Sequence, residues 1–502
     1  MLAENPNIVN PSLNNTGPFR WWIHESFLEN KPFDRFVTEL VMMEGGKFEG
    51  GPAGFGMASE NDVPMAAKSH IIGQAFLGIQ MQCARCHDAP SHDVQQKDLF
   101  SLAAMLKRGP EQVPMTSSID VPADELAHMA VKVTLKPGSK VPPAWTFPEQ
   151  SSEEIPSGVL RKQSDSRERL AALLTLPQNE RFAKVTVNRI WHRYLGRGLV
   201  EYLDDWEGVE PSHPKLLDWL ANEFIASGYD IKHIARLILN SRVYQRAPIT
   251  SDKAEQFAGP QQRRLTAEQL LDSMFVFSGK PYNAGLIAFD IDGARPATLS
   301  LNLGSPRRAW MLTSTSNERD RPGLAMPFAQ PFVTFLEQFG WRGARQAPIN
   351  ERPDDLTALQ PAEFANGVLA RRTCRLSDDH QLTQLALKAD LTVKTLAEEL
   401  HLRLFTRRPT LAEARVVTDL LSPGFETRRR LDEPINKPAR DRRGTISWSN
   451  HLEEEASTIK QELEQVVRRG DLPTRRLDPD WRERLEDLIW SMMNSPEFRF
   501  SP

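Results

Sequence analysis

The sequence is short of several things, and each shortage excludes something. No apolar run approaches the roughly 20 residues that a helix needs to span a bilayer, so no membrane span is expected in these 502 residues. The stretch from Met1 to Gly17 is polar and rich in Asn and Pro, without the apolar core of a secretion signal. Positive and negative charges nearly cancel, at 62 Lys and Arg against 66 Asp and Glu for a net charge of -4. No basic excess therefore marks a nucleic-acid partner or an anionic membrane surface. There is no Gly-x-Ser-x-Gly, no phosphate loop and no dinucleotide fingerprint, so the common signatures of hydrolases, nucleotide triphosphatases and dehydrogenases are missing. What remains is the composition of a soluble globular protein, 40% hydrophobic and 25% charged. Its length allows roughly two to four domains with sizeable cores. Its 37 prolines imply many loops between helices.

Cysteine is scarcest of all, with three in the chain. Two of them fall in Gln82-Cys83-Ala84-Arg85-Cys86-His87-Asp88, two residues apart and with a histidine directly behind. This is the Cys-x-x-Cys-His pattern of covalent c-type haem attachment. Each thiol can add to one vinyl group of the porphyrin, and the adjacent imidazole then ligates the iron from the proximal side. A Cys83–Cys86 redox disulfide is an alternative, though no βαβ pattern surrounds it. A zinc or iron ion is another, though no second Cys-x-x-Cys or His-x-x-x-His supplies the remaining ligands. The third cysteine, Cys374, reads as a lone thiol.

Hydrophobic periodicity predicts a mainly α-helical protein. Phe19 to Glu29, with Trp21, Trp22, Ile23 and Phe27, reads as an amphipathic helix, and Pro32 suits the first turn of a second one ending at Met42. Residues 44–47 and 50–56 read as loop. Ala66 to Gln80 is a helical stripe leading into the cysteines, and Gln95 to Lys107 resumes the pattern beyond them. Pro110 to Glu154 reads as a small β-containing excursion, with Val131 to Leu135 alternating like a strand, a short sheet expected to cover the haem loop. Ser151 to Ser166 is a polar linker. Helices are expected from Gln178 to Gly196, from Pro214 to Gly228 and from Ile231, behind an Asp230 cap, to Asn240. Capping boxes at Thr266 with Gln269 and at Thr410 with Glu413 open two more. Residues 281–327 read as loop. Pro331 to Phe339, Pro361 to Arg371, Asp379 to Leu402, Leu452 to Val467 and Trp481 to Met493 read as helices, and Pro423 to Asn450 as an exposed charged insertion. Asn240-Ser241 and Asn494-Ser495 both end helices ahead of an aromatic, which we read as a shared way out of a helix.

The segment Phe76-Leu77-Gly78-Ile79-Gln80-Met81-Gln82-Cys83-Ala84-Arg85-Cys86-His87-Asp88, followed by Gln96-Lys97-Asp98-Leu99-Phe100, resembles the planctomycete cytochrome-c-like proteins of unknown function. Their second, planctomycete-specific domain is matched by Val187-Asn188-Arg189-Ile190-Trp191, Gly196-Arg197-Gly198-Leu199-Val200-Glu201 with Asp204-Asp205-Trp206, and Pro211-Ser212-His213-Pro214. Further pieces are Ser227-Gly228-Tyr229-Asp230, Asn240-Ser241-Arg242-Val243-Tyr244, Arg263-Arg264-Leu265-Thr266 and Asn494-Ser495-Pro496-Glu497-Phe498. The resemblance implies residues 1–155 as the C-terminal part of a cytochrome-c-like domain and 165–502 as the helical planctomycete-specific domain. It also implies export to the periplasm or another extracytoplasmic space, and hence a chain that is a piece of a longer protein. Relatives commonly follow Cys-His-Asp with a histidine and then Asp-Pro. In Asp88-Ala89-Pro90-Ser91-His92-Asp93 the histidine is shifted.

The site expected is therefore haem c on Cys83, Cys86 and His87, in an electron-transfer protein with a redox partner protein. His92, Met81, Met105 and Met115 are the candidates for the far side of the iron, with His87 and His92 as the metal-binding pair. The runner-up is a structural or interaction protein whose loop forms a disulfide or holds a zinc or iron ion. A third reading, a hydrolase acting on polysaccharide, rests on Asp204, Asp205 and His213, which serve equally well as turn and helix caps. His192, Asp218 and His233 lie in the same block. Arg189, Arg197 and Arg264 read as braces forming ion pairs between helices.

Overall fold

The computed structural model describes residues 16–45, 51–57, 63–90, 92–115, 131–148, 154–249, 257–284, 287–288, 302–304, 306–309, 311, 328–340, 357–436 and 452–501. The protein is mainly α. Among the described residues, strands form only three two-stranded antiparallel ladders. Packing divides the chain into two compact units, with the described residues up to Gln262 in the first and those from Arg263 onward in the second.

The first unit begins with α1 (Thr16–Leu28), α2 (Phe33–Met42), α3 (Ala53–Met57), α4 (Pro64–Ile72) and α5 (Gln96–Lys107). A ladder of β1 (Glu111–Gln112) with β2 (Lys140–Val141) follows, then α6 (Ser166–Thr175), α7 (Glu180–Leu195), α8 (Pro214–Ala226) and α9 (Ile231–Leu239). Segments on both sides of the 154–165 connection contribute to one core. Phe33 of α2 stacks on Phe182 of α7 with ring centroids 5.9 Å apart, and Phe76 and Phe224 close around them. Arg167 of α6 donates to the Leu106 carbonyl at 2.6 Å and the Met42 carbonyl at 3.1 Å, which pins the ends of α5 and α2 together.

The second unit comprises β3 (Arg263–Arg264), α10 (Ala267–Ser278), β4 (Ile287–Ala288), β5 (Asn302–Gly304), α11 (Gln330–Gln338), α12 (Leu359–Asn366) and α13 (Val368–Cys374). It continues with α14 (Gln381–Ala386), α15 (Val393–Phe405), α16 (Leu411–Leu421), α17 (Glu454–Arg469), α18 (Pro479–Met493), α19 (Pro496–Arg499) and β6 (Phe500–Ser501). Trp481 lies at the centre of its own core, fully buried, with Nε1 donating to the Leu421 carbonyl at 2.9 Å.

Both capping boxes form as the sequence predicts, at Thr266 with Gln269 and at Thr410 with Glu413. The shared helix exit is physical. Asn240 Nδ2 donates to the Arg236 carbonyl and Asn494 Nδ2 to the Trp490 carbonyl, each four residues back.

Several expectations are corrected. Ala53–Met57 is a short helix rather than loop. Val131 to Leu135 is not a strand. Its amides at Thr134 and Leu135 donate to the Gln96 side-chain oxygen at 2.8 and 2.9 Å, so side-chain partners replace a strand partner. The helix expected over 361–371 is broken at Gly367, whose extended backbone returns its N–H to the Glu363 carbonyl at 2.8 Å. The helix expected over 379–402 is two helices, because Thr392 caps a fresh start with its hydroxyl accepting from the Thr395 amide. In the charged insertion, residues 437–450 lie outside the described residues. In 423–436, Phe425 and Arg428 are buried. The Arg428 guanidinium serves the carbonyls of Ala386, Phe425 and Lys388 and stacks 3.9 Å over the Phe425 ring.

Candidate functional site

Helix α4 does not run straight into the cysteines. At Gly73 it widens into a single π-helical turn, Gly73–Leu77, and stops at Gly78 with φ +63°. A Cβ on Gly78 would sit 2.7 Å from the Trp206 ring, so both the backbone sign and the indole require glycine. The chain then turns back past His70, whose Nδ1 accepts from the Met81 amide at 3.3 Å. An imidazole that accepts at Nδ1 is neutral there. Burial pushes His70 down to about 4, against the opposing pull of the Asp204 carboxylate.

The five motif residues form one tight turn. Cys83–Arg85 is a 3₁₀ segment, and the Cys83 carbonyl accepts from the amides of Cys86 at 3.1 Å and His87 at 3.2 Å. Ala84 is buried at the inner side of the turn, while Cys83 and Cys86 are exposed free thiols. His87 Nδ1 lies 2.8 Å from the Asp88 carbonyl. A carbonyl oxygen can only accept, so Nδ1 carries the hydrogen and the neutral ring keeps its lone pair on Nε2.

Behind the turn, Asp88 is an anchor that sequence reasoning missed. Its amide donates to the Lys132 carbonyl at 2.8 Å. Its carboxylate accepts from the Gln96 amide at 2.9 Å and the Thr134 hydroxyl at 2.7 Å. An anion on the first amide of α5 also suits the helix dipole. Gln96 is fully buried and ties the 131–135 segment to the same place.

A second group of residues clamps the π turn on the approach to the motif, from α7 and the loop that follows it. The Arg189 guanidinium donates to the carbonyls of Ala75 at 3.1 Å and Gln74 at 2.7 Å, two acceptors that the π turn leaves open, and pairs with Asp204 at 2.8 Å. Burial works to lower its pKa, and Asp204 opposes that. Arg181 donates to the Leu77 carbonyl at 2.8 Å and lies 4.5 Å over the Trp206 ring. The Trp206 amide donates to the Gly78 carbonyl at 2.9 Å. Asn188 closes the intervening loop by exchanging two hydrogen bonds with Val200, at 2.9 and 3.0 Å.

The far-side ligand candidates fare differently. His92 faces two carboxylates, with Nε2 3.2 Å from Asp205 and Nδ1 3.3 Å from Glu207. Met81 and Met105 are core residues, and the Met81 methyl fills the space over Gly73. Met115 is exposed. The residues of the hydrolase reading take separate partners. Asp204 pairs with Arg189 and Asp205 with His92, while His213 packs its ring 5.5 Å from Phe257. Asp205 also caps its own turn, accepting from the Glu207 amide at 3.3 Å. Asp218 pairs with Lys184 and His233 with Glu223. Arg197 pairs with Glu201, and Arg264 bonds to the Gln360 side chain. Among the described residues, no group of three or more His, Cys, Asp or Glu side chains could hold a metal ion. No helix among them is long and apolar enough to cross a membrane.

The three thiols divide by environment. Cys374 is buried beside the Met493 sulfur, and burial pushes its thiol up to about 12. In the folded chain without a bound group, a disulfide reagent is expected to modify Cys83 and Cys86 promptly and Cys374 only after denaturation. Counting reacted thiols before and after adding denaturant checks this, and prompt reaction of all three would contradict it.

Residues 4–111 match PSCyt2, described as a protein of unknown function (DUF1549), and residues 166–421 match PSD1, described as a protein of unknown function (DUF1553). These are the planctomycete-type paired domains of unknown function. No curated protein and no solved structure matches the chain. The second match takes in more than half the chain and spans the Asn188–Arg189 clamp, the first contains the Cys83–His87 turn, and the chain belongs to the PSD1 (DUF1553) family with a PSCyt2 (DUF1549) segment ahead of it.

Proposed function

We propose that the chain is an extracytoplasmic c-type haem protein that transfers electrons, in which the Cys83 and Cys86 thiols would form the thioethers and His87 Nε2 would bind the iron. One observation carries this reading. Two exposed free thiols one turn apart stand beside an imidazole whose Nδ1 is held by a carbonyl and whose Nε2 keeps its lone pair. When bound, the porphyrin iron supplies a one-electron couple. The chain's own residues do the rest. Ala84 and Asp88 fix the turn against the unit, so the thiols keep their spacing. The Asp88 carbonyl sets the His87 tautomer and raises the basicity of its free nitrogen. His70, Arg181 and Arg189 hold the backbone on the approach to the turn.

The test is maturation of the full chain in cells that carry a cytochrome c assembly system. The expected product has a mass raised by one haem and a Soret band that changes on dithionite reduction. Cys83→Ala with Cys86→Ala is expected to abolish covalent attachment, and His87→Ala to alter the spectrum while leaving mass addition largely in place. A product without added mass whose two thiols titrate as a disulfide would replace haem by the redox pair. A stoichiometric zinc or iron ion without porphyrin would replace it by the metal site.

A further inference from the structure

The proposed electron port carries charge of one sign on one side, although the chain as a whole is slightly acidic. The segment 131–141 contains Lys132, Lys136 and Lys140 and no carboxylate. Exposure alternates along its first part. Val131, Val133 and Leu135 are half-buried, and Lys132 and Lys136 are exposed. Lys140 is exposed in β2, where its neighbour Val141 is buried. Lys97 is exposed on the first turn of α5, next to Gln96, which binds the Thr134 and Leu135 amides.

This strip is fastened to the turn. The Lys132 carbonyl accepts from the Asp88 amide at 2.8 Å, two residues past Cys86. Among the described residues, no carboxylate pairs with Lys132, Lys136 or Lys140. In the neighbouring loop Asp204 is paired with Arg189, and Asp205 and Glu207 face the one His92 imidazole. Asp88 is buried and bonded, and Glu111 is paired with Lys107. Beside the turn, Lys132, Lys136 and Lys140 are thus cations with no carboxylate partner among the described residues, while Asp93 is exposed on the other flank and the single His92 imidazole is shared by Asp205 and Glu207.

Resting on the haem reading, we infer that Lys97, Lys132, Lys136 and Lys140 form the docking strip for an acidic redox protein that exchanges electrons at the Cys83–His87 turn. The exchange is one electron per encounter. One centre loses it, the other gains it, and no bond or proton changes hands. A few unpaired cations beside a port suit a short-lived complex, because they raise the rate of encounter more than they raise affinity. A membrane or a polysaccharide offers the lysines anions but has no centre to receive the electron.

Two arms test the inference. On haem-loaded full-length protein, the electron-transfer rate is read with ferricyanide, an anion, and with hexaammineruthenium(III), a cation. The ferricyanide rate is expected to fall by about tenfold from low to high ionic strength, while the cation's rate does not fall. The triple variant Lys132→Glu, Lys136→Glu, Lys140→Glu is expected to reverse that order. On protein without haem, Cys83 and Cys86 are challenged with the anionic disulfide DTNB and the cationic disulfide cystamine. DTNB is expected to be the salt-slowed reagent for the natural chain and cystamine for the triple variant. The second arm needs no porphyrin, so a chain that takes no haem can still pass or fail it. Salt dependence of the opposite sign in either arm, or a variant that behaves like the natural chain, overturns the inference. So does retention on dextran sulfate that the variant loses while the order of the reagents stays unchanged, which would assign the strip to a polyanion.

Discussion

Replacing Arg189 with alanine is expected to lower the stability of the first unit by about 3 kcal/mol, the low end of the cost of breaking a buried charge pair by removing one partner, because Asp204 is only half-buried. The size follows from what the guanidinium serves. It satisfies the Gln74 and Ala75 carbonyls and faces Asp204 at 2.8 Å. Alanine leaves two carbonyls unsatisfied and a half-buried carboxylate without its counter-charge. Arg189→Lys keeps the charge but not the fork, so it is expected to fall between the two. Denaturant unfolding gives the total loss. Hydrogen exchange of the amides between Gly73 and Asp88 locates it, because these lie in the turn that the clamp holds. A loss below about 1 kcal/mol, the range of exposed pairs, would show that the guanidinium is not a clamp.

The second large effect belongs to the other unit. Lys280 has no exposed side-chain surface, and its ammonium donates to the Asp471 carboxylate at 3.0 Å and the Arg372 carbonyl at 2.7 Å. Arg372 reaches the same carboxylate at 3.2 Å. Burial works to raise the Asp471 carboxyl, but the two cations outweigh it and the group ends below its usual value. Asp471→Ala removes the carboxylate that both cations touch and leaves the fully buried Lys280 only Asp379 as an opposite charge, and is expected to cost about 3–5 kcal/mol. The pH dependence has a definite sign. A carboxyl with a lowered folded pKa stabilises above its unfolded value of about 3.9 and loses that contribution as pH falls through the lower folded value. The gap between natural chain and variant should hold from neutral pH down to about 5 and close only below about 4. A gap that closes near neutrality would point to a different titrating group.

The two clamps explain why only part of the site is legible in the sequence. Cys83, Cys86 and His87 are visible because rare residues at fixed spacing fold as one local turn. Asp230, Thr266 and Thr410 are visible for the same reason, since a cap and the amide it serves lie within three residues. Helix α6 carries a comparable signal. Asp165 caps it by accepting from the Arg167 and Glu168 amides, so Asp-x-x-Glu ahead of Leu170 marks its start at the end of what reads as linker. Arg189 gives no such signal. It sits on a helix among other arginines, and its carbonyl partners lie more than a hundred residues away. The period-two alternation of 131–135 is genuine, since its exposure does alternate, but alternation reports burial on one side and not a hydrogen-bonded neighbour.

By itself, the sequence determined the helices with strong periodicity and caps, the family, and the position of the Cys-x-x-Cys-His turn. The helices and the turn are set by residues within one or two turns of one another, and the family by short motifs spread along the chain. Only the tertiary structure decided that His92 faces Asp205 and Glu207, that Arg428 is buried, that α7 holds a π turn ahead of the motif, and that both motif thiols are exposed. Each of those depends on which distant backbone groups are left without partners once the core has closed. No local pattern records that.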